Sequence, residues 1–543
     1  MDCRRFSSSR TQVHLSQAPP TPCELQLHWL CSFSGSPSEL PFPNWCSRPS
    51  VSAVAREWAG RLGQPWRRGR TGRSSVPVGQ SRELQRPGKM GNAKSLSSQK
   101  TCSKFLPEEQ AEVDRLFDAL SSNKGGSAPG TFSLEALKSH VKEALPPEMV
   151  TRLYNGMWRV QLTHKAHGGS GNVSREQFTV FLSHLVKGSF EEKGQMVMKM
   201  ILPAEGPVKA RDVQKFTEEL VASAVHVLTH RHELRGWTRR KSTASPTSVQ
   251  AMTAQLLSEM KFQDGHKFQG PQFLDQVCEQ TMIEDWVFHV PHVGMFLGVV
   301  IHRGLRLLSS ALDLSTLVPE CHADPGQPLE SILDVLSVVY LNSHLAAELR
   351  LRWRLLFSTQ LHGQSFSQLC GRITQRGPCL LVLEDRDGHV FGGFASCSWE
   401  VKPQFQGDKR CFLFSITPSM ATYMPTGYND HFMYLNHGQQ TMPNGLGMGG
   451  QHHYFGLWVA ADFGKGHSKA KPTCTTYNSP QLSAQEDFQF DKMEVWGLGD
   501  HLETQLVKNK KSILDSNLEA QSLLEISGRA RHSEGLREVP EDD

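Results

Sequence analysis

The 543-residue sequence predicts an α+β protein with several domains, and three observations lead to that class. Amphipathic helical patterns dominate residues 105–330. Short β-rich runs separated by glycine-rich turns fill residues 331–498. Residues 1–89 follow neither pattern. We therefore expect a helical N-terminal region, a β-sandwich with packed helices, and a C-terminal helix.

Residues 1–89 predict a disordered basic leader. They hold ten of the 30 prolines and carry a net charge of +8, whereas the rest of the chain carries −4. Such a segment cannot bury enough apolar surface to offset its ordering entropy. A mitochondrial presequence is the alternative, but Asp2 and the prolines argue against it. The mildly acidic body argues against nucleic acid as a partner.

Residues 90–104 contain a lipidation motif and a linker. The run Met90-Gly91-Asn92-Ala93-Lys94-Ser95 fits the N-myristoylation pattern, which makes Gly91 the candidate acceptor. The acyl chain needs a free glycine amine, so the motif works only if synthesis starts at Met90 or the leader is removed. A chance match is the alternative. A single acyl chain binds membranes only marginally, so a second contact is required.

Residues 105–190 resemble a pair of EF-hands. Apolar helix positions, a glycine-rich loop, a β-like residue and another helix occur twice, with Phe132 and Val173 at the eighth loop position. Calcium needs oxygen ligands at positions 1, 3, 5 and 12. Those positions hold Gly125, Ser127, Pro129 and Ala136 in the first loop, and Ala166, Gly168, Ser170 and Gln177 in the second. Because no carboxylate is available, we expect a degenerate pair that binds no calcium.

Residues 191–330 predict a second helical region. Apolar helices are expected over 248–260 and 282–308, with Trp286 and Phe288 in the core. The basic, Ser/Thr-rich stretch 235–246 is expected to be an exposed linker. No apolar run is long enough for a transmembrane helix, and the scattered cysteines without a CxxC pair indicate a reduced cytosolic chain without structural zinc.

Residues 331–498 predict the β-rich domain, opened by a helix over 350–358. The expected strands are 379–384, 389–395, 411–415, 432–435, 455–459 and 493–496. Asp387-Gly388 supplies the hairpin turn between the first two strands.

This part of the chain closely resembles the TLDc domain family. The matching segments, in the order of the family, are 353–358, 362–366, 388–394, 412–414, 455–458 and 494–496. The resemblance implies a non-enzymatic protein without cofactors. It also implies a link to oxidative stress resistance and to the vacuolar proton-pumping ATPase. One lysosomal member is linked to recruitment and activation of the mTOR kinase.

Four features of the sequence are also compatible with an enzyme. Residues 445–450 match G-x-G-x-x-G, but no helix follows them, which predicts a plain glycine-rich loop. His452 and His453 are adjacent and would point to opposite faces of a strand, and Ser468 lacks a nucleophile elbow. Cys397 and Cys474 keep open the alternative of a redox-protective or hydrolytic enzyme that uses TLDc-domain thiols.

Residues 499–543 predict a C-terminal helix and a disordered tail. The apolar residues of this helix include Leu514, Leu518, Leu523 and Leu524. They either fold back on the sandwich or insert into a groove of a partner. The leading hypothesis is a membrane-recruited adaptor on the cytosolic face of the lysosome, with the proton pump, the mTOR complex and the lysosomal membrane as partners. No catalytic, cofactor-binding or metal residue is predicted.

Overall fold

The computed structural model describes residues 103–122, 130–161, 171–237, 245–262, 265–268, 270–323 and 330–499. The predicted leader, the lipidation motif and the C-terminal helix lie outside these residues. Among the described helices, none has both the length and the apolar character needed to cross a bilayer.

The first part of the structure is helical, as expected. Its helices are α1 Pro107–Ser121, α2 Leu134–Val141, α3 Pro147–Trp158, α4 Arg175–Lys187, α5 Phe190–Ile201, α6 Ala210–His230, α7 Pro246–Leu257, α8 Gln280–His289 and α9 Pro291–Gly298. Proline at the first position starts α1 and α3, and Ser174 and Ser189 form capping boxes at α4 and α5. Pro291 divides the helix predicted over 282–308 into α8 and α9, and a π-helical turn, Val299–Gly304, follows.

Within the described residues, a helix–strand–helix order occurs twice in residues 105–190. The strands β1 Thr131–Phe132 and β2 Val173–Ser174 pair antiparallel and join the two units. Phe132 packs edge to face against Phe117 and Phe178 at this junction, and all three ring centroids lie less than 6 Å apart.

The second part is a large, mostly antiparallel sheet with three further helices. The strands are β3 Glu320–His322, β4 Arg352–Ser358, β5 Cys379–Asp385, β6 Val390–Ala395, β7 Lys402–Gln406, β8 Phe412–Thr417, β9 Ala421–Tyr423, β10 Met433–Asn436, β11 Gly445–Gln451, β12 Tyr454–Ala460, β13 Lys465–His467 and β14 Asp487–Leu498. The helices are α10 Val335–Ser343, α11 Thr359–His362 and α12 Phe366–Ile373. These elements confirm the α+β class.

The sheet folds into two halves that share the long strand β14. Its order is β7-β10-β11-β12-β13-β14-β5-β6-β8-β9, with β4 also paired to β14 and β3 paired parallel to β4. We call β4, β5, β6, β8 and β9 the helix-covered half, and β7 and β10–β13 the ring-covered half. The halves face each other, because a Cβ on Gly393 would lie 2.5 Å from Met448 Sδ and one on Gly456 would lie 3.0 Å from Leu413 Cδ1.

The outer face of the helix-covered half packs against the helical region in one common core. Its strands contribute Leu380, Val382, Phe394, Phe412, Phe414 and Trp496. Trp237 lies between Trp353 and Trp496, at ring-centroid distances of 5.6 and 4.9 Å. The indole N–H of Trp237 donates to the carbonyl of Pro319 at 2.9 Å. The prediction of an exposed linker from residue 235 is therefore wrong at Trp237, which is buried.

Three other predictions are corrected by the structure. The helix predicted over 350–358 is the strand β4, because its side chains alternate: Trp353 and Leu355 pack on the helical core, while Arg354 lies on the opposite face. The glycine-rich loop predicted over 445–450 is the strand β11. Phe288 was predicted in the core but is 43% exposed, whereas Trp286 is buried as expected.

Candidate functional site

The predicted site residues lie outside the part of the chain that the structure describes. Gly91 precedes Ser103, and Leu514, Leu518, Leu523 and Leu524 follow Gly499. These assignments stay predictions. The described residues do, however, test the enzyme signals and show which surfaces of the body are available for recognition.

The thiols proposed for redox chemistry lie in unfavourable surroundings. Cys474 is buried in the sandwich core, and this burial raises its pKa. The thiol of Cys397 is half-buried and lies 3.6 Å from the carboxylate of Asp408. Arg410 lowers the pKa of Asp408, so an ionised carboxylate lies beside the Cys397 thiol. The cation beside Cys397 is Arg410, which is already paired with Asp408 at 2.6 Å.

The glycine motif of β11 serves ring packing. Gly447 lies between Tyr434 on β10 and Trp458 on β12 in the strand register. A Cβ on Gly447 would lie 2.7 Å from Phe455 and 2.9 Å from Trp458, so both rings lie against the bare backbone. Gly449 and Gly450 then adopt positive φ angles of 72° and 84°. The motif thus supports an aromatic layer, and no helix N-terminus follows it to receive a phosphate.

Histidines and Ser468 border this layer without forming a catalytic or metal site. His467 stacks on Trp458 at 5.8 Å, and burial lowers its pKa to about 4. The hydroxyl of Ser468 donates to Gly456 O at 2.7 Å and accepts the N–H of Leu482, which fixes it as a structural link. No group of three or more His, Cys, Asp or Glu side chains in the described ranges is arranged to hold a metal ion.

A cleft of about 750 Å³ lies where the helical region meets the sheet. Trp237 and Trp496 form its apolar wall, and its polar wall includes Glu330, Asp334, Glu384 and Lys492. Glu384 pairs with Lys492 at 2.8 Å, and Asp334 caps helix α10. The cleft therefore combines indole surface with a carboxylate-rich rim. This composition suits recognition of a polar partner.

Glu494 fixes one wall of this cleft. Its carboxylate is fully buried and accepts hydrogen bonds from Ser331 Oγ at 2.8 Å, Ile332 N at 2.9 Å and Trp496 Nε1 at 2.9 Å. Burial outweighs these bonds and raises the pKa of Glu494 to about 7. Glu494 belongs to the segment 494–496 that carried the family resemblance, but sequence alone gave no sign that this acid is buried.

The comparisons with known proteins confirm the resemblance to the TLDc domain family. The TLDc domain model matches residues 328–499. MTOR-associated protein MEAK7 from Mus musculus is 80% identical over 454 residues, which cover 84% of this chain and 100% of that protein. The proteins of that name from Homo sapiens and Gallus gallus are 69% and 55% identical over 84% of this chain, covering 100% and 99% of their own lengths. This chain therefore belongs to the TLDc-domain family, in the group of MTOR-associated protein MEAK7.

Proposed function

We propose that this chain is a non-enzymatic, membrane-recruited adaptor that promotes mTOR signalling at the lysosome and binds the vacuolar proton-pumping ATPase. The observation that carries the proposal is the 80% identity to a protein named MTOR-associated over the whole length of that relative. The pump, the lysosomal membrane and the link to oxidative stress come from the resemblance to TLDc proteins.

The geometry of the body supports an adaptor. The buried or carboxylate-flanked thiols argue against redox chemistry, and the aromatic layer accounts for the glycine motif. Among the described surface features, the cleft between the helices and the sheet is the one best suited to bind a partner.

The helical region acts in this proposal as a degenerate EF-hand pair. The amide of Gln177, at the last loop position, donates to the carbonyls of Trp158 and Val160 at 2.9 and 3.2 Å. The hydroxyl of Tyr154 donates to Gly171 O at 2.6 Å. These bonds tie the second loop to the helix that precedes it. In a calcium-binding EF-hand, the bound ion holds the loop together. Here we assign that role to the hydrogen bonds of Gln177 and Tyr154.

Membrane recruitment is proposed to begin with acylation of Gly91 in a form that starts at Met90. The 454 residues aligned with the mouse relative equal in number the residues from Met90 to Asp543, which supports such a start. The second attachment comes from docking on the pump, since one acyl chain alone is a weak anchor.

Affinity capture tests the proposed partners. The 90–543 form, expressed in cells and captured under mild detergent, should retain mTOR complex and proton-pump subunits. A variant with Leu514→Glu and Leu518→Glu should lose them if the tail helix inserts into a groove, while the control Glu534→Gln should retain them. Absence of both mTOR and pump subunits from the unaltered 90–543 form would contradict the adaptor proposal.

A further inference from the structure

A short irregular segment forms one wall of the cleft between the helical region and the sheet. Residues 330–333, which we call the strap, adopt neither helix nor strand and lead into Asp334, the N-cap of α10. Ser331, Ile332 and Leu333 line the cleft, and the last two also pack against the common core. A movement of the strap would therefore change the shape of the cleft.

The strap is held on the sheet by the carboxyl group of Glu494. Two of the three hydrogen bonds that this group accepts come from the strap, one from Ser331 Oγ at 2.8 Å and one from Ile332 N at 2.9 Å. The N–H of Leu333 donates to the same Ser331 hydroxyl at 3.1 Å, so the turn of the strap is built around it. The polar attachment of the strap is therefore concentrated on one side chain of β14.

Glu494 is buried without a counter-ion. It is 2% exposed, and in the described part of the chain no Lys, Arg or His side chain pairs with it. Glu384 on the neighbouring strand β5 adds a negative charge that opposes ionisation of Glu494, while Lys492 is paired with Glu384. The charged and titratable groups around Glu494 are Cys321, Glu330, Asp334, Glu384, Asp491 and Lys492 in the cleft and His362 in α11, which accepts the N–H of Ser358, the β4 neighbour of Glu494.

We propose that the strap is a pH-sensitive cover of the cleft, which stays closed while Glu494 is protonated and is released when Glu494 ionises. In the closed position an ionised Glu494 is a buried charge without a counter-ion, which is costly. Once the strap moves away, water solvates the carboxylate. The pKa of Glu494 is about 7 in the closed position and tends towards the ordinary 4.5 in the open one, so closure is favoured at low pH and weakens as the pH rises. This device is independent of which partner binds in the cleft.

Hydrogen exchange in the full chain tests the proposal. The backbone amides of residues 331–333 are followed at pH 6 and pH 8, and each rate is corrected for the intrinsic pH dependence of amide exchange to give an opening constant. Titration of Glu494 between 4.5 and about 7 predicts that this constant rises about tenfold from pH 6 to pH 8. Glu494→Gln should give equal opening constants at the two pH values. The control Asp408→Asn, at a carboxyl outside the cleft, should keep the tenfold rise.

A second variant and an internal reference separate release of the strap from unfolding. Ser331→Ala removes one bond of the strap but keeps Glu494, so it should raise the opening constant several-fold at both pH values and keep the rise between them. It also tests the proposal if Glu494→Gln fails to fold. The amides of β11 report on opening of the sheet and should exchange more slowly than those of the strap. Equal opening of the strap at pH 6 and pH 8, or a rise that persists in Glu494→Gln, would overturn the proposal. Strap amides that exchange only together with β11 would also overturn it, because the proton would then be linked to unfolding of the whole sheet.

Discussion

The two halves of the sheet cover their outer apolar faces in different ways. The outer face of the helix-covered half is buried by the helical region, with Trp237 placed between Trp353 and Trp496. The outer face of the ring-covered half carries its own layer, in which Phe455 and Trp458 stack at 4.6 Å over the glycines of β11. One half therefore depends on residues outside the segment matched by the TLDc model, and the other half does not. The difference shows that the helices are part of the fold of the sheet in this chain.

The largest expected effect comes from separating the sheet from the helices. A protein trimmed to residues 331–499 would uncover parts of Leu380, Val382, Phe394 and Trp496, while Phe412 keeps its contact with His344. At about 1.5–3 kcal/mol for each side chain, the loss is about 10 kcal/mol, which is comparable to the stability of a whole domain. We expect no cooperative thermal unfolding by circular dichroism, whereas residues 103–499 should unfold cooperatively. If residues 331–499 unfolded cooperatively at a midpoint temperature near that of residues 103–499, the sheet would not depend on the helical region for its stability.

The next effect concerns Glu494, which ties segment 331–332 to the helix-covered half. Its pKa rises from 4.5 to about 7 in the folded state, so the folded protein holds an extra proton between those values. The stabilising contribution of this group is fully present below pH 4.5 and declines up to pH 7, by about 3 kcal/mol in total.

Glu494→Gln removes this dependence. The difference in free energy of unfolding, variant minus unaltered protein, should rise by about 3 kcal/mol between pH 4.5 and pH 8 in denaturant titrations. Asp408→Asn, at a carboxyl whose pKa is lowered by its hydrogen bond with Arg410, is the control and should show no such rise. A flat difference for Glu494→Gln would show that the carboxylate is ionised in the fold.

A smaller effect tests the ring-covered half. Gly447→Ala places a methyl group 2.7 Å from Phe455, so the rings must shift at a cost of about 1–3 kcal/mol. Gly371→Ala is the control: it lies in helix α12 with no atom within 4 Å of the new methyl, and should stabilise by about 0.5–1 kcal/mol. Chemical denaturation measures both. A neutral Gly447→Ala would mean that the ring layer adapts freely.

The smallest effect concerns the helical region itself. Gln177→Ala removes bonds to Trp158 and Val160 and should destabilise by about 1–2 kcal/mol. The midpoint of thermal unfolding should not respond to millimolar calcium, either in the unaltered protein or in Gln177→Glu, because the other ligand positions lack carboxylates. A rise of the midpoint of the unaltered protein with calcium would make this region a calcium sensor.

Much of the fold could be predicted because local pattern determined it. The amphipathic helices and the strand pairs around the Asp387-Gly388 turn follow directly from periodicity and turn chemistry. The predictions were wrong where tertiary contacts determine the secondary structure or the burial of a side chain. Residues 350–358 suit a helix by composition, but pairing with β14 makes them a strand. The glycines of residues 445–450 suggest a loop by composition, but packing of aromatic rings from the next strand makes them a strand. The sequence around Trp237 suggests exposure, but contacts with Trp353 and Trp496 bury it.

The functional site was less predictable, because burial and long-range contact define it. The carboxylate of Glu494 meets Ser331 across 163 positions of sequence, which no local pattern reveals. By contrast, a short motif suffices to predict Gly91 as an acylation site, since acylation depends on local sequence.

Membrane recruitment through Gly91 is the central functional claim, and subcellular fractionation tests it most directly. Three proteins are compared in cells: the form that starts at Met90, the same form with Gly91→Ala, and the full 543-residue chain. The account predicts that the Met90 form associates with membranes and that the other two are largely released to the cytosol, because neither presents an amino-terminal glycine for acylation. Equal membrane association of all three would contradict the lipid anchor and leave protein docking as the tether.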